Sequence, residues 1–77
     1  MIIGTFNSIQ IGSILTATVT DYDGVIHKNV RLMVLKEVTK EDWLNELKVE
    51  NPENYMKFKD HPKVNDECNR FYDCSLD

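Results

Sequence analysis

The side chains in this chain best suited to chemistry are two histidines, His27 and His61, and two cysteines, Cys68 and Cys74. Zinc takes Cys and His in tetrahedral sets, and structural zinc sites draw them from closely paired knuckles. His61, Cys68 and Cys74 are strung out without such pairs, and His27 lies far upstream, so the spacing supplies no ligand framework. The same residues could be cast as thiol nucleophile and imidazole base. No surrounding motif sets either thiol on a strained turn or at a helix start, and so short a chain has little room for a pocket of about 300 to 1,000 Å3. The expectation is therefore a protein that is not an enzyme and needs no metal or cofactor. Cys74 then packs as a small hydrophobe and Cys68 is a loop thiol. A bridge between them is geometrically conceivable, but a chain with no visible export signal is expected in the reducing cytoplasm, with both thiols free.

Charged residues offer three further readings. Asp21-Tyr22-Asp23-Gly24 has the alternating aspartates of a calcium loop, but such a loop ends on a bidentate Glu at its twelfth position, where this chain has Leu32. A hairpin turn accounts for all four residues. The acidic residues Glu37, Glu41, Asp42, Glu46, Glu50 and Glu53 are interleaved with Lys40 and Lys48, which reads as a solvated helix face and not as a continuous surface imitating DNA. Lys28, Arg31 and Lys36 form a basic strip, with His27 beside them and Tyr22 at the turn. Small barrels can pair such cations with stacking aromatics to hold single-stranded nucleic acid. A net charge of −4 argues against a phosphate-driven grip as the main function.

These residues must be positioned by very little protein. With 77 residues the chain supports one domain, residues 1–77, and 42% hydrophobic with 29% charged residues is a globular composition. The first twenty residues carry no charge, yet Gly4, Thr5, Asn7, Ser8, Gln10, Gly12 and Ser13 break every apolar run, so neither a signal peptide nor a membrane span is expected. The clearest local signal is Asp23-Gly24, a preferred two-residue hairpin loop. Placing it there pairs Tyr22 with Val25, Val19 with Lys28, Ala17 with Val30, Leu15 with Leu32 and Ser13 with Val34. Thr20 with His27, Thr18 with Asn29 and Thr16 with Arg31 then make a polar face, as a period of two requires. Leu32, Met33, Val34 and Leu35 put apolar groups on both faces, and a helix is expected to cover the second.

That helix is expected to start at Thr39, an N-cap followed by the acidic residues Glu41 and Asp42, with Trp43, Leu44 and Leu47 on one side and Trp43 laid on the sheet. Asn51-Pro52 restarts a short helix over Glu53 to Lys57, anchored by Tyr55 and Phe58. Residues 59–67 read as a loop. Arg70 to Leu76 reads as a final strand with Tyr72, Cys74 and Leu76 pointing one way, and Ile2 to Phe6 as an edge strand followed by a bend at Gly12.

The segment Ile11 to Val19, the Asp23-Gly24 turn, the long second strand, the Trp43 helix and the closing Arg70-Phe71-Tyr72-Asp73-Cys74-Ser75-Leu76 together resemble small uncharacterised bacterial and phage proteins with SH3-like partial barrels. The expected fold class is α+β: a small antiparallel sheet or SH3-like partial β-barrel around a 13–34 hairpin, with one or two short helices between residues 39 and 59. The resemblance carries no binding or catalytic residues across, and such folds host unrelated functions. Small size, acidic balance and unpaired sheet edges favour a non-catalytic protein-interaction module, an accessory or inhibitory protein of a phage or mobile element with a protein partner. The alternative is a nucleic-acid-binding barrel, and the interaction surface expected is His27, Lys28, Arg31 and Tyr22. A homo-oligomer is compatible with either reading.

Overall fold

The computed structural model describes all 77 residues, and six elements follow one another: β1 (Ile2–Thr5), β2 (Ile14–Thr20), β3 (Ile26–Val38), α1 (Lys40–Glu50), α2 (Pro52–Phe58) and β4 (Arg70–Leu76). The strands form one antiparallel sheet in the order β1-β4-β3-β2, curved into a half-barrel, so the α+β expectation holds. The two helices occupy the expected stretch for the expected reasons. Thr39 Oγ1 accepts from the Asp42 amide at 3.2 Å and the Asp42 carboxylate accepts from the Thr39 amide at 3.2 Å, a reciprocal cap that satisfies two orphan donors. Asn51 caps α2 through the Asn54 amide at 3.2 Å, with Pro52 in the first turn, where its missing N–H leaves no helical bond unmade.

The hairpin body has the expected register: Leu15 faces Leu32, Thr16 faces Arg31 and Ala17 faces Val30. Ser13 pairs with Val34 through a 2.9 Å bond from the Val34 amide to the Ser13 carbonyl. Nearer the turn the register differs. The Asp21 amide donates to the Val25 carbonyl at 2.9 Å, and the Gly24 amide donates to the Asp21 carbonyl at 3.0 Å, so the loop holds three residues, Tyr22 to Gly24. Gly24, at φ +87, supplies the left-handed residue that closes a three-residue loop. The Asp21 carboxylate selects this loop over the two-residue one by accepting from the Asp23 and Val25 amides, each at 2.9 Å. The consequence is a shift by one: Val19 faces His27 and Thr20 faces Ile26, in place of the pairs with Lys28 and His27. A bulge in β3 absorbs the extra residue at Asn29, the one non-glycine with positive φ (+57), a conformation that Asn tolerates better than most residues.

The core lies on one face of the sheet, where Leu32 and Val34 of β3 meet Tyr72 and Cys74 of β4, all at most 1% exposed, with Ile3, Ile9, Leu15, Val19 and Val30 packed around them. The second face of β3 is not covered by a helix as expected. Met33 and Leu35 are 36% and 46% exposed, because α1 packs at the other end of the sheet, against β1 and β4. Trp43 does lie on the sheet, stacked on Phe71 with ring centroids 5.5 Å apart, but it is half-buried and Leu47 is the fully buried anchor of α1. Gly4 makes room for that stack: a Cβ there would sit 3.2 Å from Phe71 Cε1. On α2, Tyr55 is half-buried beneath Lys48 Nζ, and Phe58, 36% exposed, lies beside His61. Leu76 points the same way as Tyr72 and Cys74, opposite Leu32, as expected, but at the end of β4 it is 71% exposed.

Candidate functional site

The hairpin tip is held by the helices. Asn51 caps α2 with its oxygen and uses its amide nitrogen to donate to the Tyr22 carbonyl at 2.9 Å and to Asp23 Oδ1 at 3.1 Å. The Asn54 amide nitrogen also donates to the Tyr22 carbonyl. The Tyr22 hydroxyl donates to Glu46 Oε2 of α1 at 2.7 Å. Burial, then the hydrogen bond to Glu46, push the Tyr22 pKa well above its usual value. Tyr22 is thus a half-buried strut between hairpin and helices.

The remaining residues of the expected interaction surface are exposed but fall into different settings. His27 Nε2 lies 3.0 Å from Asp21 Oδ2, and this hydrogen bond, aided by the Val25 and Asp23 amides, lowers the Asp21 pKa. Because directly opposed residues share a face, pairing with Val19 sets His27 on the core side of the sheet. Arg31, opposite Thr16, is on the outer face, where its guanidinium pairs with Asp77 at 2.9 Å. Lys28 is exposed in the bulged stretch between them. The structure therefore brings His27, Lys28 and Arg31 to one strand but does not align them on one face, and it takes Tyr22 to the helices.

Cys68 and Cys74 are both free thiols, Cys68 exposed and Cys74 buried. Burial pushes the Cys74 thiol pKa up, which favours the protonated, unreactive form. No three His, Cys, Asp or Glu side chains converge on a common point where a metal ion could sit, and no helix is long and apolar enough to cross a membrane.

The outer face carries what reading the residues for chemistry passed over. Ile14 of the edge strand β2 stands directly opposite Met33, with side chains 49% and 36% exposed, and Leu35 extends the apolar strip along β3. Next along the face comes the Arg31–Asp77 ion pair, a polar border. The signal was present in the register, which already put Met33 on the face away from Leu32 and Val34. No family model, no curated protein and no solved structure matches the chain.

Proposed function

We propose that this chain is a non-catalytic protein-interaction module whose docking surface is the outer face and open edge of the sheet. The observation that carries the reading is the uncovered apolar strip Ile14–Met33–Leu35, set beside β2, whose outer edge has no strand paired to it. Contiguous exposed apolar groups with a polar border are the usual anatomy of a docking patch. An unpaired edge can also accept an added strand, whose main-chain hydrogen bonds supply affinity. Small size, acidic balance and the unpaired edge favour an accessory or inhibitory protein of a phage or mobile element as the form such a module would take. It would act by occupying a partner's surface.

The test compares proteins retained from a cognate lysate by the parent and by an Ile14→Lys/Met33→Glu variant, whose opposed charges attract across the strands. Both positions are exposed, so the variant should melt within about 1 kcal/mol of the parent. Retention of a specific partner by the parent and its loss in the variant supports the reading. A partner retained equally by both refutes the outer face as the docking surface. A retained complex that dissolves steeply with added salt and carries nucleic acid would transfer the function to the alternative, through Lys28 and Arg31.

A further inference from the structure

Where the hairpin curls toward the helices, the protein leaves a wide space. Helix α1 packs against β1 and β4 and α2 packs against α1, while the β2–β3 hairpin touches the helices through its tip, at Tyr22. Between hairpin, sheet and helices lies a groove of about 1240 Å3, open to solvent along much of its extent, and it overturns the expectation that so short a chain has little room for a pocket of roughly 300 to 1,000 Å3. Its walls are Leu15, Val19 and Val30 from the sheet and Trp43 and Phe58 from the helices.

The polar groups bordering the groove are sorted by charge. At the hairpin end Asp21 and Asp23 are already engaged, Asp21 by His27 and two backbone amides, Asp23 by the Asn51 side chain. One turn along α2 from Asn54 comes Lys57, and after the helix ends come His61 and Lys63, all three on the groove wall. Neither Lys57 nor Lys63 has a carboxylate within ion-pairing distance. An acidic protein has here set unpaired cations beside its largest apolar space.

We propose that this groove is a binding site for a single-chain anionic amphiphile of the long-chain carboxylate class. The hydrocarbon chain lies among the aliphatic and aromatic walls, and the carboxylate sits between Lys57, His61 and Lys63, where charge-assisted hydrogen bonds hold it. This site is separate from the outer face and does not depend on the function proposed for it.

Trp43 is the only tryptophan and forms part of the wall, so its emission reports occupancy. The experiment titrates the full chain with brominated stearate, kept below its micelle concentration, and reads contact quenching of Trp43. Saturable quenching at one ligand per chain is expected, and dodecanoate should displace it while dodecyltrimethylammonium should not. Lys57→Glu/Lys63→Glu, both at exposed positions, should weaken binding about tenfold or more, which corresponds to about 1.4 kcal/mol. Ala17→Phe fills the groove from the sheet side and should abolish quenching; should it fail to fold, the charge-reversal variant still decides. Met33→Lys on the outer face should change nothing. Absence of saturable quenching, equal displacement by the cationic amphiphile, or quenching that survives charge reversal unchanged would each overturn the proposal.

Discussion

Replacing Tyr22 with Phe removes one oxygen and leaves the ring where it is, so it isolates the bond that ties the hairpin to α1. That bond is 2.7 Å long and its acceptor is Glu46. Hydrogen bonds to charged groups contribute about 1.5 to 3 kcal/mol when buried. Tyr22 and Glu46 are both only half-buried, so water competes for the carboxylate and the expected loss is about 1 kcal/mol. In urea this should appear as a lower midpoint at unchanged slope. The pH dependence gives a second, independent readout. Tyr22 holds its proton more tightly in the folded protein than its usual pKa of 10.0 implies, through burial first and Glu46 second. A group of this kind contributes its full stabilisation below its unfolded pKa and loses it as the pH rises toward the folded one. The stability gap between parent and Tyr22→Phe should therefore be constant near neutrality and shrink above about pH 10. A double-mutant cycle with Glu46→Gln assigns the coupling to this pair. The reasoning is refuted if Tyr22→Phe equals the parent at pH 7, or if the two single effects simply add.

Asn29 holds the bulge in a left-handed conformation, so Asn29→Gly should leave stability unchanged or slightly raised, while Asn29→Val should lower it by about 1 to 2 kcal/mol in urea unfolding. Leu47→Ala, at the 1%-exposed anchor of α1, should cost about 2 to 5 kcal/mol and unfold a large part of the population, as read by far-ultraviolet circular dichroism. A thiol reagent should titrate Cys68 rapidly in the native protein and Cys74 only on unfolding, so two prompt equivalents would contradict the burial of Cys74.

Much of the fold was legible because local signals and hydrophobic period agree. Thr39 with Asp42, and Asn51 with Pro52, set the helix starts, and the alternation Leu15-Ala17-Val19 against Val30-Leu32-Val34 fixed the inner face. The one-residue error at the hairpin tip has a specific cause. Asp23-Gly24 serves both a two-residue loop and the last positions of a three-residue loop, and the side chain of Asp21, outside the dipeptide, decides between them. That shift carried His27 away from the Arg31 face and so altered the residues expected to act together. Covering Met33 and Leu35 with α1 also failed, because amphipathicity identifies which helix face is apolar but not which end of a sheet it meets. The stack of Trp43 on Phe71 beside Gly4 decided that, a three-way contact between elements far apart in sequence.

The open groove and the small core bear on stability together. A chain of this size holds about 5 kcal/mol of stability even with a well-filled core, and here only Leu32, Val34, Leu47, Val64, Phe71, Tyr72 and Cys74 are buried. An occupant that binds only the folded state adds RT ln(1 + [L]/Kd), about 2.7 kcal/mol at a hundredfold excess over Kd. For a domain of 60 to 100 residues each kcal/mol raises Tm by roughly 4 to 8 °C, so a saturating long-chain carboxylate should raise Tm by roughly 10 to 20 °C. The Lys57→Glu/Lys63→Glu variant separates ligand linkage from any intrinsic effect of charge. Neither lysine forms an ion pair in the free protein, but Lys57 sits in the last turn of α2, where a cation favours the helix dipole, so the unliganded Tm should fall by only a few degrees, about 1 kcal/mol or less, while most of the ligand-induced rise disappears. A variant that keeps the parent's full ligand-induced rise would show that Lys57 and Lys63 do not hold the carboxylate, and the amphiphile site would lose its charged end.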